Sequence, residues 1–484
     1  MDDYTIHIEW VDYSNLRVNC EYGLAMEFSD LFSFYMKNYR FHPKVKAHIW
    51  DGKIRLFNSG KRLLPIGLLK QLITYCKNDG IEYTIDDEVK EKLKGNNENT
   101  KDIVNSYNLP FSPYEHQSIA IDFMINKKRG LVLSPTSSGK SLNIYALARY
   151  NTENNTRTLI IVPTVQLVNQ LFDDFKDYGW DSEKYVHKIY SGQEKETSNP
   201  VVISTWQSLA KIPQSYLNDF DCVIVDEVHL ATATTLKTIM EKCTKVGSKI
   251  GLTGTLDESK ANKETLIALF GDVIQATTTK ELMEKGLVSE LKIKCVQLSY
   301  PEEISKVVSK MDYVSETKFL KTYEPRNEFI VNLSTKTKGN TLVLFQHLSH
   351  GKELYEKIKE KRKNVFYIDG KTDADLRSVY TEMFEKYDDV ILVASYGVFS
   401  TGINSKNLHN IIFSSSYKSK VKVLQSLGRS LRLHSRKDGA TLYDLGDNHR
   451  YKKYTNTIFK HFIERIKLYE KEQFNYKIVK VNLK

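Results

Sequence analysis

The sequence predicts an α/β protein in which two tandem, doubly wound lobes follow a small α+β N-terminal domain. Short apolar runs recur from residue 131 onward, each followed by a helical or loop segment, and they read LVLS, TLIIVP, VVIST, CVIVDE and KIGLTGT. The alternation resumes after Lys294 with TLVLFQ, VFYIDG, VILVAS and NIIFSSS. Strands that alternate with helices at this spacing are typical of parallel sheets covered by helices. Two such sets therefore indicate two lobes.

Composition also indicates the domain limits. Residues 91–102, EKLKGNNENTKD, are polar and contain one glycine and three asparagines, which is typical of a linker. We expect a small α+β domain at residues 1–95, a first lobe at residues 96–285 and a second lobe at residues 286–484. A charged segment, IFKHFIERIKLYEKEQF, is expected to close the second lobe as a helix. Three domains agree with a length of 484 residues, at about 150 residues per domain.

Several classes of protein are disfavoured by the composition. Hydrophobic residues make up 41% and charged residues 27% of the chain, as in a globular protein with several cores. No segment approaches the ~18 apolar residues of a membrane span, and the acidic N-terminus lacks the layout of a secretory signal. The five scattered cysteines argue against a disulfide framework or structural zinc and favour the cytoplasm, that of the host if the protein is viral. The net charge of +10 is compatible with a polyanionic partner but is weak evidence alone.

The segment LVLSPTSSGKSL, residues 131–142, nearly matches the phosphate-binding pattern G-x-x-x-x-G-K-[ST]. It follows a predicted strand and precedes a predicted helix, whose N-terminal N–H groups and dipole favour a phosphate. Gly139 would let the backbone approach the phosphates, Lys140 would neutralise their β and γ oxygens, and the Ser141 hydroxyl would hold Mg²⁺. Ser134 stands where the first glycine is expected, so a chance match is the alternative for this motif alone.

A second motif, CVIVDEVHL, places Asp226 and Glu227 directly after a buried-type strand. Adjacent carboxylates in such a position are costly unless a cation accompanies them. Beside a phosphate loop, Asp226 would hold Mg²⁺, and Glu227 would orient and deprotonate the attacking water. The alternative is a strand that simply ends in acidic residues at the surface.

A third motif, QSLGRSLR, places Arg429 and Arg432 three residues apart and close to one helical face. Planar, permanently charged guanidinium groups suit a γ-phosphate whose charge spreads in the transition state. A solvated basic helix is the alternative for this motif by itself. The three motifs together, in this order across two lobes, are much more specific for nucleotide hydrolysis.

These elements resemble those of a superfamily 2 helicase of the DExH type, with DEVH as the acidic box. The resemblance extends from about Phe111 to the closing helix, more than three quarters of the chain. It implies two RecA-like lobes, ATP and Mg²⁺ as cofactors, and hydrolysis coupled to movement along a nucleic acid. His229 and Gln425 would link the acidic box to the arginine motif. The catalytic residues implied in this way are Asp226, Glu227, His229, Gln425, Arg429 and Arg432.

The same resemblance implies roles for residues outside these motifs. Gln117, in PYEHQ, matches the glutamine that reads adenine, and TGT at residues 253–255 matches the motif that couples hydrolysis to lobe movement. The nucleotide-binding residues it implies are Gln117, Pro135, Thr136, Ser137, Ser138, Gly139, Lys140, Ser141, Gly402 and Asn404. The nucleic-acid contacts it implies are Thr164, Gln166, Thr205, Trp206, Gln346, Gly370 and Thr401.

Two positions depart from the family's usual pattern. Ser137 occupies a position that is usually glycine, and Asn404 stands where an aspartate often binds the ribose. Serine has less freedom than glycine to adopt a positive φ. Because the other elements are present, we expect both departures to be tolerated and the loop to bind nucleotide.

The N-terminal domain combines basic residues with aromatic ones such as Phe41. The basic residues for which we expect DNA contacts are Arg40, Lys44, Lys53, Arg55, Lys61 and Arg62. They would bind phosphates, while aromatic rings would stack on bases exposed at a branch point. The alternative is an ordinary half-solvated strand with Phe57 in the core, and we expect Trp50 in the core as well. His347 and His350 are expected at the entry of a helix, because no third metal ligand is evident.

We therefore expect an ATP-dependent DNA helicase or translocase that works as a monomer and has no membrane partner. The leader segments HIWDGKIRLF and LLPIGLLKQL are most similar to those of a bacteriophage group in this family. That similarity implies branched or junction-containing DNA as the partner, including forks, four-way junctions and RNA–DNA hybrids in recombination, replication and repair. Two alternatives stay open: another motor on the same scaffold, such as an RNA helicase, or an annealing or scaffold protein with a weak ATP site.

Overall fold

A computed structural model describes the chain from Thr5 to Leu483, apart from residues 37, 191–196, 211, 230–232, 255, 257–259, 403–405, 416–427, 429–432, 435–436 and 438. The chain divides into two compact units, Met1–Thr277 and Thr278–Lys484. The boundary falls shortly before the division at 285/286 that the sequence predicts. In the described part of the chain, no helix is long and apolar enough to cross a membrane.

The first unit begins with a small α+β domain. Its main sheet has four strands in the order β5-β2-β1-β6, and a separate pair, β3 and β4, forms a two-stranded sheet. Its strands are β1 (Ile6–Trp10), β2 (Asn15–Asn19), β3 (Ser33–Tyr35), β4 (Lys53–Arg55), β5 (Leu63–Pro65) and β6 (Tyr83–Ile85). Its helices are α1 (Tyr22–Leu31), α2 (Pro43–Lys46), α3 (Leu69–Asp79) and α4 (Asp87–Lys92), with 3₁₀ turns at Tyr39–Phe41 and Ile66–Leu68.

Alternating burial along β1 and β2 explains why this sheet forms. Ile6, Ile8, Leu16 and Val18 point to one face and are fully buried, as expected for a sheet with one solvated face. The same core includes Ala268 from the following lobe, so the small domain packs directly on that lobe. The contact is tight at Gly67, where a Cβ atom would lie 1.9 Å from the Ile267 carbonyl oxygen.

A parallel sheet of seven described strands forms the first lobe, in the order β13-β7-β12-β11-β8-β10-β9. Its strands are β7 (Arg129–Leu133), β8 (Thr158–Val162), β9 (Val186–Ile189), β10 (Val201–Thr205), β11 (Cys222–Val225), β12 (Ser248–Thr253) and β13 (Val273–Gln275). Its helices are α5 (Thr100–Ser106), α6 (Glu115–Lys127), α7 (Lys140–Glu153), α8 (Val165–Asp177), α9 (Ser182–Tyr185), α10 (Trp206–Leu209), α11 (Gln214–Leu217), α12 (Ala233–Lys242) and α13 (Lys260–Phe270). Every residue of β8, β10 and β11 is buried, because helices cover both faces.

The second unit contains another parallel sheet of seven described strands, in the order β16-β17-β15-β18-β19-β14-β20. Its strands are β14 (Glu290–Ser299), β15 (Thr341–Phe345), β16 (Val365–Ile368), β17 (Ile391–Ser395), β18 (Asn410–Phe413), β19 (Gly439–Asn448) and β20 (Tyr476–Asn482). Its helices are α14 (Thr279–Glu284), α15 (Glu302–Val308), α16 (Tyr313–Thr322), α17 (Glu324–Lys336), α18 (Leu348–Lys361), α19 (Ala374–Lys386), α20 (Tyr396–Gly402) and α21 (Thr457–Lys471). The predicted fold class, two α/β lobes behind an α+β domain, is confirmed.

The closing helix α21 is fixed to β19 by a buried ion pair. Arg465 donates to both carboxylate oxygens of Asp444, at 2.7 and 2.8 Å, and the Tyr469 hydroxyl donates to the same carboxylate at 2.8 Å. A buried pair of this kind is stable only when its hydrogen bonds are satisfied, as they are here. The helix does not end the lobe, however, because β20 follows it and pairs with β14 at the sheet edge. The sequence pattern does not predict this strand.

Candidate active site and nucleic-acid surface

The phosphate loop joins the carboxyl end of β7 to the N-terminus of α7. Gly139, at φ +81°, caps the helix, and a Cβ atom there would lie 2.2 Å from Gln117 Nε2, so the position requires glycine. Ser134 does not have a positive φ. Its hydroxyl donates to the Ser138 hydroxyl at 2.6 Å, and the Ser138 hydroxyl donates to the Pro135 carbonyl at 2.7 Å. The serine in place of the first glycine therefore fits the loop and braces it.

Ser137 is the position at which the phosphate loop adopts a backbone conformation that is unfavourable for a residue with a side chain. Its φ is +71°, in the left-handed region that glycine adopts without cost. A residue with a side chain in that region carries about 1–3 kcal/mol of strain, with β-branched residues the worst. The family's usual glycine is thus explained by backbone geometry, and the tolerance of serine at this position stays a prediction.

A β-branched residue at this position should not be tolerated. We expect Ser137→Val to weaken ATP binding about tenfold or more, whereas Ser137→Gly should bind at least as well as the unmodified protein. Equilibrium titration with a fluorescent ATP analogue measures the three affinities. Equal affinity of the Val and Gly variants would contradict a positive φ in the nucleotide-bound loop.

Gln117 and His116 brace the phosphate loop from α6. Gln117 Oε1 accepts from the Tyr114 backbone N–H at 2.9 Å, and Gln117 Nε2 donates to the Ser138 carbonyl at 3.1 Å. His116 Nε2 lies 2.9 Å from the same carbonyl and is almost fully buried. The predicted adenine-reading amide is therefore placed beside the loop, with both ends of the amide engaged. His116 was missed, and only its position next to Gln117 could have indicated it.

Asp226 and Glu227 follow β11 directly and sit beside the loop, because β11, β12 and β7 are neighbours in the sheet. Glu227 Oε1 lies 3.3 Å from Lys140 Nζ. Its other oxygen lies 3.3 Å from His229 Nδ1, which is 2.6 Å from Thr253 Oγ1. The structure thus brings together four side chains that belong to three separate sequence motifs, Lys140, Glu227 with His229, and Thr253. Glu227 has φ +49°, a strained value of the kind found at functional sites.

The electrostatics of the acidic pair favour a bound cation. Burial, and then repulsion from Glu227, raises the pKa of Asp226 to about 7, while Lys140 lowers it. A cation beside this carboxylate would offset the desolvation of its charged form. Carboxylate and hydroxyl oxygens from Asp226 and Ser141 fit Mg²⁺, which usually takes few protein ligands and completes its shell with phosphates and water. Within the described ranges, no group of three or more His, Cys, Asp or Glu side chains forms a metal cluster.

The predicted nucleic-acid contacts of the first lobe lie at the carboxyl ends of β8 and β10, which are adjacent strands. Thr164 caps α8 and Thr205 caps α10, each through a side-chain oxygen that accepts a backbone N–H. Gln166 is exposed and Trp206 is half-buried, but Thr205 is only 5% exposed. Gln166 is therefore the side chain of this group best placed to meet a ligand, while the threonines shape the loops.

In the second lobe, Gln346 and Gly370 follow β15 and β16 at the carboxyl edge of the sheet, and both are exposed. Thr401 and Gly402 fall at the end of α20. His347 precedes α18 as its cap residue and His350 lies in its first turn, the helix entry that the sequence predicts. The predicted residues Asn404, Gln425, Arg429 and Arg432 lie outside the described residues.

The basic residues of the N-terminal domain divide into two groups. Lys53 pairs with Asp30 at 3.1 Å and Arg55 pairs with Asp51 through two hydrogen bonds. Arg62 donates to the Ser59 carbonyl at 2.7 Å.

The other three, Arg40, Lys44 and Lys61, are exposed. Arg40 lies over the Tyr39 ring, which stacks on Tyr35 at 4.4 Å. Arg40 and Lys44 belong to the segment between β3 and β4, which also exposes Phe41 and Ile49 at 74% and 75%. Phe57 is buried and Trp50 is half-buried, donating to the Lys53 carbonyl at 3.0 Å.

A phosphate loop, an acidic box and a coupling threonine at one edge of a parallel sheet, followed by a second parallel lobe, define a superfamily 2 helicase, an ATP-hydrolysing enzyme. Three family models match the chain: "DNA helicase UvsW, N-terminal" at residues 5–86, "Type III restriction enzyme, res subunit" at residues 110–258, and "Helicase conserved C-terminal domain" at residues 325–434. The chain belongs to the UvsW family of ATP-dependent DNA helicases.

The family assignment rests on similarity along the whole chain. The ATP-dependent DNA helicase uvsW of Enterobacteria phage T4 is 38% identical over 502 residues, covering 99% of this chain and 100% of that protein. The crystal structure of T4 UvsW aligns with a TM-score of 0.53 at 36% identity, covering 99% and 100% of the two chains. An HsdR fragment of a type I restriction enzyme from Vibrio vulnificus, at 19% identity, shares the fold with a TM-score of 0.57, covering 89% of this chain and 76% of that one. The predicted superfamily is confirmed, and the RNA-helicase and scaffold alternatives are not favoured.

Proposed function

We propose that this helicase uses ATP and Mg²⁺ to unwind or branch-migrate branched DNA, such as forks, four-way junctions and R-loops, in recombination, replication and repair. The observation that carries the ATP-hydrolysis part of the proposal is the continuous line of contacts from Lys140 through Glu227 and His229 to Thr253. It joins the phosphate loop to the carboxyl end of β12. The name of the T4 relative, an ATP-dependent DNA helicase, supports DNA as the partner.

The contacts suggest how binding prepares hydrolysis. Lys140 Nζ lies 3.3 Å from Glu227 Oε1 and also donates to the Ser134 carbonyl at 3.3 Å. Phosphates at the N-terminus of α7 would attract Lys140, which releases the Glu227 carboxylate to orient a water and accept its proton. Bound Mg²⁺ would supply charge neutralisation at the phosphates, held by Ser141 and Asp226. Arg429 and Arg432 are proposed to stabilise the charge of the transition state.

Movement of the phosphate loop would reach the nucleic-acid surface through the sheet. Thr253 contacts His229 through its side chain, and its carbonyl accepts from the Ser134 backbone N–H at 2.9 Å. A change at the γ-phosphate would thereby be transmitted to the carboxyl ends of the adjacent strands β7 and β12. We infer that this link makes hydrolysis sensitive to DNA bound at the loops after β8 and β10.

The exposed surface between β3 and β4 is our candidate for branch-point recognition. Arg40 and Lys44 would bind phosphates, since no carboxylate is within ion-pair distance of either side chain among the described residues. Phe41 offers an exposed ring for stacking on an unpaired base. The protein is proposed to act as a monomer, in the cytoplasm of the host cell.

Steady-state ATP hydrolysis with different nucleic acids tests the proposal. The rate is measured without nucleic acid and with linear duplex DNA, single-stranded DNA, a four-way junction or single-stranded RNA. We expect the highest rate with the junction. Lys140→Ala should abolish activity in every arm, because it removes the phosphate-binding charge. Stimulation mainly by RNA, or equal stimulation by junction and linear duplex, would contradict the branched-DNA assignment.

A second arm of the same assay separates the contribution of the two lobes from that of the N-terminal domain. The double variant Arg40→Ala, Lys44→Ala should lose much of the junction stimulation while retaining stimulation by single-stranded DNA. Lys53→Ala is the matched control, because its ammonium group is already paired with Asp30. If the junction stimulates the double variant as strongly as the unmodified protein, the N-terminal domain does not recognise DNA through these residues.

A further inference from the structure

Tyr178, the cap residue that follows α8, contacts the phosphate-binding helix α7 at the Ser141 hydroxyl, which is proposed to hold Mg²⁺. Its phenolic oxygen lies 2.7 Å from Ser141 Oγ. The chain turns sharply after it, at Gly179 with φ +86°, and the backbone N–H groups of Tyr178 and Gly179 close the last turn of the helix. The position of the hydroxyl is therefore set by the end of a helix.

Ring contacts hold the Tyr178 side chain in place. Its ring packs edge-on against Phe111, with 5.7 Å between the ring centroids, and against Tyr145 at 5.2 Å. Tyr145 is fully buried in α7, the same helix that begins at Lys140. The Tyr178 phenol can either donate or accept a hydrogen bond. The contact to Ser141 is thus made by a rigid, uncharged group.

The chemistry of a cation-bound hydroxyl suits a partner of this kind. A serine oxygen that gives a lone pair to Mg²⁺ keeps its proton, and the hydroxyl can donate that proton in a hydrogen bond to a neighbouring acceptor. Groups that hydrogen-bond to a metal-binding side chain also fix the orientation of that side chain, and their removal weakens metal binding. Tyr178 lies within hydrogen-bond distance of the Ser141 oxygen and is held there by its neighbours.

We propose that Tyr178 is a positioning residue for the Mg²⁺ that accompanies ATP, acting by orienting Ser141 Oγ and accepting a hydrogen bond from its hydroxyl. The proposal rests on the proposed function, in which Ser141 is a Mg²⁺ ligand. No sequence signal points to this residue, because 37 positions separate it from Ser141.

Mg²⁺-dependent nucleotide binding provides the test. The full-length protein is titrated with Mg²⁺ in the presence of a fluorescent, non-hydrolysable ATP analogue, and the affinity is also measured in EDTA. Tyr178→Phe, which keeps the ring and removes only the hydroxyl, should raise the Mg²⁺ concentration at half-maximal binding about two- to tenfold. Its affinity in EDTA should match that of the unmodified protein, since the lost hydrogen bond acts only on the cation.

Two further variants make the outcomes distinguishable. Tyr107→Phe is the matched control, because the Tyr107 hydroxyl donates to the Ala146 carbonyl of α7 at 3.3 Å and does not touch Ser141. Its Mg²⁺ midpoint should be unchanged; an equal shift in both tyrosine variants would reduce Tyr178 to helix packing and overturn the proposal. Ser141→Ala should shift the midpoint further than Tyr178→Phe.

The remaining outcomes separate the two proposals. If Ser141→Ala shifts the midpoint and Tyr178→Phe does not, the positioning role is wrong while the Mg²⁺ site stands. If Ser141→Ala leaves the midpoint unchanged, the Mg²⁺ assignment itself fails. A Tyr178→Phe variant that loses affinity equally in EDTA and in Mg²⁺ would show that the hydroxyl serves the loop or the nucleotide, which also overturns the inference.

Discussion

Replacement of Glu227 by glutamine is expected to lower DNA-stimulated ATP hydrolysis by about 10²–10⁴-fold, the usual loss on removing a positioned general base. Glutamine keeps the size of the side chain and can still accept a hydrogen bond from Lys140, which lies 3.3 Å from the carboxylate. It cannot take the proton of the attacking water. ATP affinity should therefore stay within a few-fold of the original value, and the loss should appear in kcat.

Hydrolysis and nucleotide binding are measured separately to check this expectation. Glu183→Gln is the control, because Glu183 belongs to an exposed ion pair with Lys176 in the same lobe. A Glu227→Gln variant that retains more than about a tenth of the original kcat would place the general base elsewhere. A variant that loses ATP binding instead would indicate that Glu227 mainly organises Lys140.

Replacement of Arg429 by alanine is expected to have the largest effect, a loss of about 10³–10⁵-fold in kcat, as for other arginines that stabilise phosphoryl transfer. The guanidinium group interacts with charge that develops on the γ-phosphate in the transition state, so ATP binding should remain nearly intact. Arg429 lies outside the described residues, and this expectation comes from the motif QSLGRSLR and the family to which the chain belongs.

The control for Arg429→Ala is another arginine of the second lobe. Arg450 is exposed and lies over the Phe459 ring, away from any predicted motif, so Arg450→Ala should hydrolyse ATP normally. Near-normal turnover in Arg429→Ala would eliminate its assignment to the transition state. In that event Arg432→Ala, tested in parallel, shows whether its neighbour carries the role.

The parts of the site that could be predicted are those whose position follows from chain order alone. An apolar run followed by PTSSGKS or by DEVH predicts a buried strand with its functional residues at the carboxyl end. Strands buried on both faces consist of nearly continuous apolar residues, so polar residues mark the point where the strand ends. Lys140, Glu227 and His229 were all selected in this way, and the structure joins them through contacts of 3.3 Å. The strain at Ser137 also follows a sequence signal, a serine where the family has glycine.

Contacts between distant segments could not be predicted. His116 and Tyr178 reach the phosphate loop from α6 and from the end of α8, and neither has a motif of its own. In the N-terminal domain, six basic residues were indistinguishable in sequence. Lys53 and Arg55 nevertheless pair with aspartates, whereas Arg40 and Lys44 have no such ion pair among the described residues. The strand β20 was missed because its pattern is mostly exposed, as an edge strand allows.

The sequence by itself determined the fold class, the family and the chemical groups of the motor, since each depends on local periodicity and on residue types at fixed spacing. The tertiary structure alone decided which groups touch. The order β7-β12-β11 in the sheet brings Lys140 next to Glu227 and His229 next to Thr253. Lys140 and Thr253, at the two ends of this line of contacts, are 113 positions apart in the sequence. The physical reason is that strand order and helix packing depend on the burial of whole faces, which no short motif encodes.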